Sequence, residues 1–234
     1  MKKFLALILV GVLVISLVAC GGGKETPAGG GTEPPAGGTE PPANGEEPRE
    51  PVDLVMGTGS SGGTYFALGG AMSNAWNGFL KDEQITVTAQ ASGASVENLN
   101  LINALEMDLG IAMNNVAANA FAGTGAFSAP VTNVSSIGVV YNEVYQIVAN
   151  ANTGAKNVED LKGMKVAVGP AGSGTVGLTE KVLSAAGLDI DKDIKRQSDS
   201  FGDASTKMQD GHIDAACNVL AVPASSIIEM ATVM

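Results

Sequence analysis

Two short stretches of glycine and hydroxyl residues are the parts of this chain best suited to chemistry. One is Gly57-Thr58-Gly59-Ser60-Ser61-Gly62-Gly63-Thr64, and the other is Gly172-Ser173-Gly174-Thr175. Each follows an apolar run and precedes residues at helical spacing, so each should sit at a helix start. The first N–H groups of a helix have no partner within it, and the helix dipole is positive there, which makes an anion site. Glycine lets the backbone come close to a bound group, and serine or threonine adds a hydroxyl donor. A third stretch, Ala91-Ser92-Gly93-Ala94-Ser95, has the same character. The chemistry implied is the holding of a carboxylate or similar anion by neutral donors.

Bond-making chemistry is poorly served. The loop 172–175 lacks the lysine of a nucleotide-binding loop, and no serine sits in a Gly-x-Ser-x-Gly elbow with a histidine partner. The one histidine, His212, falls in the turn Gln209-Asp210-Gly211-His212 and cannot build a His-based metal site alone. No catalytic residue, metal or cofactor is expected.

The elements around these loops occur twice. Residues 52–56 read as a strand, and a helix over 65–79 places Leu68, Met72, Ala75, Trp76 and Phe79 on one face. A strand over 85–89 follows. Ser95 is placed to cap a helix carrying Val96, Leu99, Leu101, Ile102 and Leu105. Residues 109–113 read as a strand covered on both faces, with Asn114 and Asn115 capping a helix near 116–122. The second copy has a strand over 165–168 and a helix through Leu178, Val182, Leu183 and Ala186, stopped by Gly187. A strand over 194–197, a helix starting at Asp203 and a strand over 213–218 complete it. Val55-Met56-Gly57 aligns with Val168-Gly169, and Asp108 with Asp214. Two β-α-β-α-β units predict two similar lobes around a cleft, with the glycine loops at the strand carboxyl ends. Residues 135–149 read as strand, turn, strand, crossing between lobes.

Side chains near the loops complete the candidate site. Tyr65, Tyr141 and Tyr145 offer apolar faces with a hydroxyl at the tip. Asn114 and Gln146 could fix a polar end, and Glu143 could meet an ammonium. The candidate ligand-binding residues are Ser60, Ser61, Gly63, Thr64, Tyr65, Ser92, Ser95, Asn114, Tyr141, Gln146, Ser173 and Thr175. Each also has a plain structural use: turn shaping for the glycines, capping for Ser95 and Asn114, packing for the tyrosines, solvation for Glu143.

The amino-terminal part has a different task. Lys2 and Lys3 precede an apolar run that ends Leu17-Val18-Ala19-Cys20, which looks like a lipoprotein signal peptide over 1–19 with Cys20 as the lipidated residue. Acyl chains on Cys20 would anchor the protein to a bilayer. Residues 20–51 are almost all Gly, Pro, Glu, Thr and Ala, a composition that cannot repay its ordering entropy and reads as a disordered tether. Residues 52–145 are expected to form the first lobe and 146–234 the second. The net charge of −11, without a basic cluster, argues against nucleic acid. With Cys20 lipidated, Cys217 has no disulfide partner and reads as a buried small hydrophobe.

Four motifs together carry a family resemblance. Residues 57–70, the segment Ala91-Ser92-Gly93-Ala94-Ser95-Val96-Glu97-Asn98-Leu99, the segment 158–166 with 172–175, and Asp210-Gly211-His212-Ile213-Asp214-Ala215-Ala216 resemble the TAXI-type solute receptors of TRAP transporters. The resemblance implies an α/β, two-lobed, type II periplasmic-binding-protein-like fold, with two similar mixed-sheet lobes around a ligand cleft. It also implies a receptor on the extracytoplasmic face of the cell membrane that closes on a small organic anion, glutamate-like or dicarboxylate. Such a receptor delivers the anion to the membrane subunits of an ion-gradient-driven TRAP permease. Family members continue past the point corresponding to Met234, so the second lobe is expected to be incomplete. A receptor for an ABC importer, a ligand-sensing domain and an enzyme remain as alternatives at this stage.

Overall fold

The computed structural model describes residues 50–232. The expected signal peptide, Cys20 and nearly all of the tether lie outside the described residues. Two sheets organise the rest. The first holds β1 (Val52–Gly57), β2 (Ile85–Gln90) and β3 (Leu109–Gly110) in the order β2-β1-β3, all parallel. Helices α1 (Thr64–Phe79), α2 (Ser95–Asn103) and α3 (Asn114–Ala122) alternate with these strands. The second holds β4 (Val144–Ala149), β5 (Lys165–Ala167), β6 (Lys195–Gln197) and β7 (Ala215–Leu220) in the order β4-β7-β5-β6. Here β4 is antiparallel to β7 and the other pairs are parallel, so among the described residues only the second sheet is mixed. Helices α4 (Gly174–Ala185), α5 (Phe201–Gln209) and α6 (Ser225–Ala231) belong to this lobe.

The duplication read from the sequence is present, in a corrected register. In each repeated unit the first strand, β1 or β5, lies between the other two. Asp108 and Asp214 occupy matching places: the Asp108 carboxylate accepts from the Val55 N–H at 2.8 Å, and the Asp214 carboxylate from the Lys165 N–H at 2.7 Å. Val55 therefore matches Lys165 rather than Val168. The loops agree: Gly62 and Gly172 have φ +75° and +78°, and Gly63 and Ser173 are the extended residues before α1 and α4. Each of these pairs is 110 residues apart. The near match of Gly-Thr at 63–64 with Gly-Thr at 174–175 had drawn the loops out of register by one, and the Val55–Val168 match the strands by three.

The second lobe has the larger core. Val166, Val168, Leu183, Ala215 and Cys217 are each at most 1% exposed. All six residues of β7 are buried, as expected for an inner strand with helices on its faces. A second apolar cluster joins the lobes, packing Leu99, Met113, Val116 and Phe127 against Val219, Leu178 and Tyr145.

Several sequence expectations need correction. The strand expected over 109–113 has only two residues, because from Ile111 onward the chain turns toward α3. The strand-turn-strand expected over 135–149 is one strand, 144–149; the residues before it form no strand, with Ile137 and Val139 exposed and unpaired with any strand among the described residues. The lobe boundary expected between 145 and 146 falls inside β4. The residue preceding α2 is Ala94 at φ +80°, and Ser95 is its first helical residue. Asn114 likewise lies inside α3, which Met113 precedes. Helix α5 starts at Phe201 rather than Asp203, capped by Ser200, whose Oγ accepts from the Asp203 N–H at 3.0 Å.

Candidate ligand cleft

The three glycine-hydroxyl loops converge. The Ser92 N–H donates to the Gly59 carbonyl at 3.2 Å, joining the two first-lobe loops. The Gly172 carbonyl accepts from the N–H groups of Val96 and Glu97 at 2.9 and 3.2 Å, joining the second-lobe loop to the start of α2. The Gly202 N–H donates to the Ser61 carbonyl at 3.0 Å, and the Ala221 N–H to the Thr64 hydroxyl at 3.1 Å. The two lobes are thus closed on each other around a cleft lined by all three loops.

Ser60, Gly63, Thr64, Tyr65 and Ser95 line the first-lobe wall, and Ser173 and Thr175 the opposite one. The space between these walls, counted out to its open mouth, is about 310 Å³.

Its polar groups are unevenly satisfied. Ser60 Oγ and Ser173 Oγ are buried without a hydrogen-bond partner. Ser173 as a whole is only 5% exposed. It directly precedes α4, yet its side chain makes no capping bond; nor does any side chain cap α1 at Gly63. Two helix starts with unused capping capacity, one per lobe, therefore border the same small space as two unpartnered hydroxyls. An unpartnered buried polar group is costly, so such groups mark places where a further partner fits. The start of α2 is different: its first N–H groups are used by Gly172, and Ser95 Oγ accepts from the Met113 N–H at 3.0 Å.

Among the described residues, Glu143 supplies the one charged side chain on the lining. The Tyr141 hydroxyl donates to its carboxylate at 3.2 Å, and the Tyr65 hydroxyl also faces it. The two tyrosine rings meet edge to face, with centroids 6.1 Å apart. Burial pushes the Glu143 carboxyl above its ordinary range, and the tyrosine hydroxyls oppose part of that. Burial, with the Glu143 charge adding to it, also pushes both tyrosines well up, so they remain neutral donors.

Residues 56–234 match the NMT1-like family. The chain belongs to the NMT1-like family. Among solved structures, this NMT1-like chain is similar to a protein of Bordetella bronchiseptica RB50, with 19% identity, a TM-score of 0.52, and 77% of this chain and 54% of that one covered. It is also similar to the alkanesulfonate-binding protein SsuA of Xanthomonas axonopodis pv. citri bound to MOPS, at 19% identity, TM-score 0.49, covering 74% and 61%. An ancestral arginine-binding protein bound to arginine is matched at 17% identity, TM-score 0.45, covering 71% and 70%. The chain thus spans between 54% and 70% of the length of these structures. The fold is the type II periplasmic-binding-protein-like one, two α/β lobes around a cleft.

Other candidates lie elsewhere on the NMT1-like chain. Ser61 is exposed and faces α5, its hydroxyl 3.5 Å from Ser200 Oγ. Ser92 Oγ accepts from the Ala94 N–H and shapes its own turn. Asn114 is exposed and accepts from the Asn115 N–H. Gln146 lies on β4, its amide directed to the Val144 carbonyl on the same strand. Tyr141 stands behind Tyr65 and orients Glu143 from outside the lining. Arg196 is paired with Asp191 at 3.1 Å and does not line the cleft.

Several lining residues were not among the candidates: Ala94, Met113, Phe201, Val219 and Leu220, with Glu143 weighed but left out. Phe201 had a sequence signal, since Ser200-x-x-Asp203 is a helix-start pattern that moves α5 two residues earlier. Val219 and Leu220 had none, because their place follows from the register of β7.

Proposed function

We propose that this chain is an extracytoplasmic solute receptor. It captures a small organic acid between its lobes and hands it to an ion-gradient-driven TRAP permease. The observation that carries the reading is the pair of unpartnered hydroxyls, Ser60 Oγ and Ser173 Oγ, beside the uncapped starts of α1 and α4. A carboxylate at that point would accept from both hydroxyls and from free helix N–H groups of both lobes. Contacts to both lobes supply the differential affinity that favours the closed form. The protein acts by binding and release, without turnover.

The TRAP assignment rests on the resemblance of residues 57–70, 91–99 and 158–166 to TAXI-type receptors. Lipid on Cys20 holds the protein to the outer face of the cell membrane, and residues 21–51 let the lobes reach the permease. A receptor for an ATP-driven importer is the second reading; it uses the same two-lobe physics and fits family membership equally. Calorimetry against glutamate, glutamine, C4 and C5 dicarboxylates and alkanesulfonates tests the central reading, and no binding by any of these acids overturns it. Co-purification from membranes separates the two partners: a TRAP permease supports the first reading and an ATPase complex the second.

A further inference from the structure

The cleft carries a carboxylate of its own beside the place proposed for the solute. Glu143 lines the same space as Ser60, Gly63, Thr64 and Ser173. It sits on the α1 side of that space. The Tyr141 hydroxyl, which donates to Glu143 Oε1 at 3.2 Å, is also bonded to the side chain of Thr64, the first residue of α1. Tyr65, the next residue of that helix, turns its hydroxyl to the same carboxylate. Among the described residues, no lysine, arginine or histidine lines the cleft. A bound acid anion and an ionised Glu143 are therefore two like charges in one small space, with no cation from the protein between them.

Such a pair is relieved when one member takes a proton. The two are unequally supported. The solute would accept from Ser60 Oγ, Ser173 Oγ and the first N–H groups of α1 and α4, and all of these favour its charged form. The titratable groups facing Glu143 are Tyr65 from α1 and Tyr141 from its own segment, both neutral donors, and they oppose only part of the upward push of burial. A solute seated beside Glu143 removes more water and adds a negative charge, and both effects push further the same way.

We propose that the cleft takes up a proton with each amine-free acid anion it binds, and that Glu143 receives it. Oε1 keeps the Tyr141 bond and Oε2 gains the hydrogen, which turns a repelling carboxylate into a neutral donor. Solute anion and proton enter together on capture and leave together on release. This rests on the proposed function and adds a protonation step to it. The filled cleft holds the proton more tightly than the empty one. Binding therefore strengthens as pH falls between those two values of Glu143 and levels off on either side.

The test is calorimetry on the full chain with butyrate, glutarate and ethanesulfonate, the last of which takes no proton itself near neutrality. Each is run from about pH 5 to about pH 8 in phosphate and in Tris, whose unlike heats of ionisation count the protons exchanged. At least one probe should bind with uptake approaching one proton, and its affinity should rise by up to about tenfold per pH unit of acidification. Glu143→Gln, shown by thermal melting to be folded, should bind that probe without uptake. At about pH 8 it should bind at least about threefold more tightly than the wild type. Wild-type binding without proton uptake at any of these pH values overturns the inference and leaves acid binding intact. So does undiminished uptake in a folded Glu143→Gln, or an affinity of that variant at about pH 8 no higher than the wild type's. Absence of binding by all three probes also overturns it, and the wider panel of acids then decides the proposed function separately.

Discussion

Replacing Ser173 with alanine should separate binding from folding. A serine preceding a helix normally contributes about 0.5–2 kcal/mol through its capping bond. Ser173 makes no such bond, so that contribution is not at stake. Its Oγ is instead buried and unpartnered, and removing an unsatisfied buried group relieves a desolvation cost of about 1–3 kcal/mol. Unfolding in urea should therefore show stability unchanged or modestly raised. Binding should respond in the opposite sense. A hydroxyl donating to a carboxylate contributes about 1.5–3 kcal/mol, so the alanine variant should bind its acid about 10- to 150-fold more weakly. Calorimetry and urea unfolding on the same preparations give both numbers. Stability lowered by more than about 1 kcal/mol with affinity unchanged would refute the reasoning, because Ser173 would then be a structural cap.

Other positions probe the account independently. Gly62 has φ +75°, and a Cβ there would lie 2.5 Å from the Gly202 N and 2.8 Å from its Cα, so Gly62→Ala should hold the lobes apart. Solution scattering should show a larger radius for the variant with ligand than for the wild type with ligand, and affinity should fall. Asn98, fully buried, donates through Nδ2 to the carbonyls of Gly57, Thr58 and Ile111, so Asn98→Leu should cost about 2 kcal/mol or more in denaturant unfolding. Leu183→Ala, at the centre of the second lobe, should cost about 2–5 kcal/mol and leave the cleft residues in place. Glu143→Gln should stabilise the unliganded protein at neutral pH. The folded carboxyl titrates above its unfolded value, so the folded state binds the extra proton and stability falls as pH rises between the two. The gain over wild type should be full above the raised value and vanish below the unfolded one, as melting curves across pH can check.

The two-lobe plan was legible because its signals are local. An apolar run, a glycine-hydroxyl loop and a helical period, repeated 110 residues apart, announce β1 to α1 and β5 to α4. The burial of Cys217 and the exposure of His212 were readable for the same reason. Residues 135–141 misled because alternation signals a strand only when a neighbour pairs with it, and pairing is a tertiary fact. At the cleft, loop residues were easier to find than those supplied by register. Gln146 looked suitable by type, but its place on β4 turns it to its own strand. Glu143 was noticed by type but left out of the candidates, because in an acid-rich chain a carboxylate reads first as solvated surface, and its burial against two tyrosines is a tertiary fact.

The most direct test is an amide NMR titration of the full chain with L-glutamate or whichever acid the binding panel selects. The account predicts that the N–H signals of 63–65 and of 174–176 shift together, with one dissociation constant, since a single carboxylate contacts both helix starts. Shifts confined to one of these segments, or centred on another surface, would contradict it.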